Sequence, residues 1–157
     1  LINIAVGFEK DNDHTHTAVY VPQEEFLSHR ISFPRNFSRQ NVPLGKELAN
    51  LEITTNFDDS TYNLPEKKFR EEAARILKKL GYIKDQNFEY FKVHRTKFAY
   101  VVRDKHYITE LKIVLDYIKS LGITSLGRNA EFEYINMDEA IRRTNNKADD
   151  LIMRYGS

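Results

Sequence analysis

An α+β fold, a mostly antiparallel sheet packed by three amphipathic helices, follows from three features of the chain. Short β-branched and aromatic runs, separated by turn residues, fill its first third. Three later stretches repeat apolar residues at helical spacing, and two of them close on glycine. No repeat, low-complexity segment or linker divides the chain.

The elements are taken in chain order. Asn3 to Phe8 is apolar and strand-like, and Thr17 to Val21 resumes the pattern after a polar stretch centred on Asp11, Asn12 and Asp13. The two runs predict a hairpin. Pro22 closes the second, because proline cannot donate to a ladder. Glu24 to His29 is a turn or short helix, and Arg30 to Phe33 is a strand stopped by Pro34. Pro34 to Lys46 reads as an irregular loop containing Pro43 and Gly45, and Leu48 to Asn56 as another strand. Asn63 is a predicted cap, with Pro65 in the first turn of a helix. That helix carries Phe69, Ala73, Ile76, Leu77 and Leu80 on one stripe and stops at Gly81. Phe88 to Val93 and Phe98 to Val102 are further strands. Lys105 to Leu121 is a second helix, ended by Gly122. Met137 starts a third that reaches about Arg154, with Asn136 or Asp138 favouring its positive end.

A chain of 157 residues can bury a core of its own. Its 41% hydrophobic and 30% charged content match an ordinary globular protein. No apolar run is long enough to cross a membrane, and the first residues lack the positive flank of a signal peptide. A cytoplasmic location is therefore expected. The absence of cysteine excludes disulfides, thiolate metal sites and cysteine nucleophiles. A net charge of +1, with the signs interspersed, gives no general pull toward nucleic acid.

Local motifs exclude more chemistry than they suggest. His14 and His16 can share one side of a strand, but no spaced third ligand is evident. The surrounding turn residues favour a solvated loop tip, and no metal is expected. No zinc-protease helix, phosphate-binding loop or nucleophile elbow occurs. The paired acids Asp58-Asp59, Glu71-Glu72 and Asp149-Asp150 read as surface charge. The tyrosines and phenylalanines can line a pocket, although core packing is the first reading for any one ring. The informative stretch is Leu121 to Arg143. There Gly127-Arg128 makes a tight turn into an aromatic segment, which enters a helix at Asn136-Met137-Asp138. A helix start exposes free N–H groups and a partial positive field that suit a phosphate or an electron-rich ring edge. Arg128 adds a positive fork, or simply holds the turn.

The run Ser125-Leu126-Gly127-Arg128, with Phe132, Tyr134, Asn136-Met137-Asp138 and Ala140-Ile141, resembles a flavin-contacting motif. The motif belongs to the amine-oxidase-like flavoenzymes that include UDP-galactopyranose mutases and protoporphyrinogen-oxidase-like proteins. Its pattern is a strand, Gly-Arg, an aromatic segment, then Asn-Met-Asp opening a helix. Tyr20-Val21-Pro22, Arg30 to Pro34, Phe37-Ser38, Pro43, Glu52 and Arg95 to Asp104 resemble the substrate-side domain of the same group.

The resemblance implies a substrate-domain-like region over residues 1–124 and a flavin-contacting motif and helix over 125–157. Gly127, Arg128, Asn136, Met137 and Asp138 would bind FAD. The backbone of 136–138 would lie at the pyrimidine edge of the flavin, with Asp138 holding the ribityl chain or the local backbone. Arg30, Arg95 and Tyr100 would face the substrate. The family's Gly-x-Gly-x-x-Gly turn is absent from these residues. A partner N-terminal FAD-binding domain is therefore expected, and FAD should not bind tightly to this chain alone. The first functional expectation is a fragment of an FAD-dependent oxidoreductase, inactive by itself. The alternatives are a fragment of a mutase-like flavin-dependent isomerase acting on a nucleotide-sugar, and a non-catalytic binding domain.

Overall fold

A computed structural model describes residues 1–156. The strands are β1 (Ile2–Glu9), β2 (Ala18–Tyr20), β3 (Arg30–Ser32), β4 (Lys46–Ile53) and β5 (Tyr90–Arg95). The helices are α1 (Glu66–Lys79), α2 (Tyr107–Ser120) and α3 (Met137–Tyr155). The fold is α+β, and the strands form one sheet in the order β2-β3-β4-β1-β5, every pairing antiparallel. The chain divides into two compact units, Leu1–Ala99 and Tyr100–Ser157. The sheet and α1 belong to the first, α2 and α3 to the second.

The first unit is organised by strand parity. Ile2, Ile4, Val6 and Phe8 alternate onto one face of β1. Opposite them stand Ile53, Leu51, Ala49 and Glu47 of β4, and Arg95, Val93 and Phe91 of β5 stand opposite the first three. The apolar stripe of α1 covers this face, with Phe69, Ala73, Ile76 and Leu77 fully buried. Each such large side chain contributes about 1.5–3 kcal/mol relative to exposure. Gly81 ends α1 as expected, with φ of +78°, a left-handed conformation that favours glycine.

The expected hairpin of the first two strands does not form. Both sides of β1 are taken, by β4 and β5, and β2 pairs β3 two strands away. The β1–β4 ladder matches eight residues, whereas β2 supplies three. The longer match of alternating apolar residues determines the neighbour. Phe98 to Val102 is likewise not a strand. Its composition suits a strand, but it enters no ladder, and Phe98 and Val102 are each 84% exposed. Asn63 is not the cap of α1: it lies in a 3-10 turn, Ser60–Asn63, and Pro65 occupies the capping position.

The second unit has a different character. α2 and α3 lie where the periodicity predicts, and Gly122 stops α2 with φ of +75°. Yet no described residue from 100 to 156 is buried.

Candidate functional site

The second unit contains the C-terminal motif. After α2, residues 123–126 run to Gly127 without joining a ladder, so the strand of the family pattern is not formed. Gly127 takes φ of +91°, and a Cβ built there would meet nothing within 4 Å. Glycine serves here for its backbone freedom, not for close approach of a neighbour. Amides of Glu131 and Glu133 donate to the carbonyls of Gly127 and Arg128, at 2.9 and 3.0 Å, and wind the segment into stacked turns. Phe132 sits at φ of +52°, a left-handed position uncommon for an aromatic residue. Its carbonyl accepts from the Tyr107 hydroxyl.

Arg128 organises the approach to α3. Its Nη1 donates to the Ile135 carbonyl at 3.3 Å. Its guanidinium lies 4.1 Å from the Tyr134 ring centre and 5.6 Å from that of Tyr100. The two rings are 6.4 Å apart. Cation–π contact thus gathers Arg128, Tyr100 and Tyr134. Asn136 takes the capping position of α3, but its side chain accepts no bond from the first turn. Its carbonyl accepts the Ala140 amide at 3.0 Å. The amides of the first turn therefore retain donor capacity. Met137 is 83% exposed, and Asp138 lies in that same turn.

Arg143 ties the motif to α3. It pairs with Glu131 at 3.3 Å, Glu133 at 2.9 Å and Glu139 at 2.7 Å. Glu139 also accepts from Arg142, and bonds from Arg142 and then Arg143 hold its carboxyl down at about 2. Bonds to Glu139 and then Glu133 push the Arg143 guanidinium up. The spacing of Glu139 to Arg142 and Arg143 was readable as helical ion-pair spacing. The pairing of Arg143 with two turn residues was not, because it depends on how residues 127–133 fold.

The first-unit candidates are placed differently. Arg30 pairs with Glu52 at 2.5 Å across β3 and β4. Arg95 donates to the carbonyls of Tyr62 at 2.9 Å and Leu64 at 2.7 Å, and lies over Phe69. Arg95 stands opposite Ile2 on the core face, whereas Arg30 and Glu52 align with Asn3 on the other face. The sheet therefore does not bring the two arginines together. Of the pair His14 and His16, expected at a solvated loop tip, His16 is exposed but His14 is not. The His14 side chain is only 10% exposed, with its ring against Phe33 and Tyr82. Among the described residues, no group of three or more His, Cys, Asp or Glu is placed to hold a metal ion. Among them, too, no helix is long and apolar enough to cross a membrane.

The motif offers uncapped first-turn amides, a donor set that suits an acceptor-rich edge such as the pyrimidine side of a flavin. The two arginines on Glu139 offset one of the nearby carboxylates. The open space around Gly127 offers no cradle of its own. The residues present thus fit one edge of the cofactor that the sequence resemblance implies.

No protein-family model matches this chain, and no curated protein matches it by sequence. Among solved structures, a crystal structure of reduced UDP-galactopyranose mutase is similar, with a TM-score of 0.70 and 19% identity over 88% of this chain. The chain spans 30% of the length of that structure. The architecture assembled from these residues is accordingly an α+β fold that also occurs within a UDP-galactopyranose mutase.

Proposed function

We propose that this chain is the substrate-side and flavin-contacting part of a UDP-galactopyranose mutase-like isomerase that acts on a nucleotide-sugar. The observation that carries the reading is the fold likeness to the reduced mutase over 88% of the chain. It favours the isomerase over the oxidoreductase that the sequence placed first. The motif at the start of α3 supports it by a separate route, since its donors suit the acceptor edge of a reduced flavin.

In this reading residues 125–157 contact the cofactor and residues 1–124 serve the substrate. A nucleotide-binding domain supplies the remaining FAD contacts, so this chain alone holds FAD weakly. The bound, reduced cofactor supplies the chemistry at the anomeric carbon. The chain's own residues orient and stabilise. Backbone amides at 136–138 face the acceptor edge, Asp138 the ribityl chain, and Gly127 sets the turn. Arg128 directs its charge toward the cofactor and the substrate diphosphate, with Tyr100 beside it. Arg30 and Arg95 have the smaller share. To touch a ligand, Arg30 must leave Glu52, and Arg95 must leave the carbonyls at 62 and 64.

The test joins this chain to the nucleotide-binding part of a UDP-galactopyranose mutase and supplies reduced FAD and UDP-galactopyranose. Ring contraction without net flavin oxidation is expected, and Arg128→Ala should lower turnover by roughly 100-fold, as for loss of one preorganised donor. Stoichiometric oxidation of a substrate by oxidised flavin would instead establish the oxidoreductase. Absence of flavin binding in the joined protein would leave a binding domain.

A further inference from the structure

A charged cluster in the first unit takes no part in the proposed reaction. Glu47 occupies a core-face position of β4, opposite Phe8, and is 2% exposed. Arg35, in the 3-10 turn Pro34–Asn36, donates to it through Nε at 2.7 Å. His14 Nε2 stands 3.5 Å from the same carboxylate oxygen. The remaining neighbours of the imidazole are Phe33, His16 and Tyr82, whose hydroxyl lies 3.0 Å from His16 Nδ1.

Asn36 selects the tautomer of this ring. Its side-chain nitrogen lies 3.1 Å from the His14 carbonyl and 2.8 Å from the His16 carbonyl. Carbonyl oxygens only accept, so this atom is the NH2 group, and flipping the amide would set oxygen against oxygen. The same NH2 lies 3.2 Å from His14 Nδ1. Nδ1 then presents its lone pair to an NH2 that it shares with the two carbonyls, and the single ring proton resides on Nε2, 3.5 Å from the Glu47 oxygen and without a hydrogen bond to it. A proton added at Nδ1 would face an amide nitrogen that cannot accept it.

We propose that His14 is an acid-operated latch: protonation at Nδ1 expels the Asn36 amide and releases Asp13–His16 from the Pro34–Asn36 turn. The charges that face His14 act in both directions. Burial pushes its value down most strongly, Glu47 opposes, Arg35 and His16 push down further, and Asp13 opposes. Asp13 is itself engaged by Lys10. The folded value lies below the ordinary 6.5, so the neutral ring favours the closed segment. The latch is fully closed above 6.5, and its contribution is lost as pH falls through the folded value. Asn12 to the Gly81 carbonyl and Asp11 to the Lys84 amide hold the preceding residues independently, so opening is confined to the His14 side.

The test is nitrogen and proton NMR on the whole chain from about pH 7.5 to about pH 5, above the ordinary carboxylate range. At the upper end His14 should show the Nε2–H tautomer and a protected Asn36 side-chain amide. That protection should vanish together with the titration of His14. Asn36→Asp, which can accept from a protonated Nδ1 but cannot donate to the His14 and His16 carbonyls, should raise the His14 midpoint and loosen the segment even at neutral pH. His14→Gln should abolish the acid response. An Nδ1–H tautomer at neutral pH, Asn36 protection indifferent to His14 titration, or an acid response that survives in His14→Gln would each overturn the latch. The tautomer measurement needs no variant, and it decides the matter even if a substitution impairs folding.

Discussion

In the first unit α1 buries Phe69, Ala73, Ile76 and Leu77, whereas in the second α2 leaves Ile108, Ile113 and Tyr117 more than half exposed. α3 leaves Ile141 and Ile152 exposed to a similar degree. All three helices show apolar periodicity, and glycine stops both α1 and α2. What separates α1 is the surface it meets. The face of β1, β4 and β5 presents Ile4, Leu51 and Val93 to it in register. The second unit relies instead on polar connections: the Arg143 ion pairs, the Arg128 contacts and the Tyr107 bond to the Phe132 carbonyl. Exposed ion pairs contribute about 0–1 kcal/mol each, far less than a core of buried side chains. An amphipathic stripe identifies the face that needs cover; whether cover exists is a separate structural fact.

The largest expected effect tests this contrast directly. Phe69→Ala should cost about 3–5 kcal/mol in urea unfolding, because it empties the contact between α1 and the sheet. Ile113→Ala in α2 should stay within about 0.5 kcal/mol. Comparable costs at the two positions would mean that α2 has a packed face after all. Next in size, Gly81→Ala should cost about 1–2 kcal/mol, since an L residue at its φ of +78° is strained although a Cβ there meets nothing within 4 Å. An unchanged urea midpoint would show that the end of α1 relaxes freely and that the first unit is looser than its core implies. The smallest effect lies in the second unit. The Glu139 carboxyl should titrate at about 2, not at its ordinary 4.5, in a carbon-detected NMR titration. Whatever order its arginine pairs lend to the start of α3 is present above 4.5 and lost as pH falls through about 2. A midpoint near the ordinary value would remove the Arg142 and Arg143 pairs as an organising feature of that unit.

Much of the candidate motif was legible in the chain. Gly127-Arg128, the aromatic segment and the opening of a helix at Met137 all stand where the residue pattern places them. The engagement of Arg143 by the turn was not legible, because Glu131, Glu133 and Arg143 meet only after residues 127–133 have wound up. Nor was the burial of His14. A run such as Asp-Asn-Asp-His-Thr-His reads as solvated when taken alone. The imidazole is covered by Phe33 and Tyr82, which lie 19 and 68 residues further along the chain.

Local residue choice was sufficient for the α+β class, the three helices, the glycine stops after α1 and α2, and the apolar parity of β1. Each of these depends on backbone freedom or on a periodicity that a few neighbouring residues express by themselves. Tertiary structure decided which strands are neighbours, leaving β2 beside β3 and Phe98 to Val102 outside the sheet. It also decided that Arg95 serves the Tyr62 and Leu64 carbonyls, that Glu47 enters the core face, and that, among the described residues, α1 has a buried face whereas α2 and α3 have none. The reason is that a ladder, a buried charge and a covered apolar stripe each require a partner from elsewhere in the chain. The partner available is settled by competition among all the segments at once.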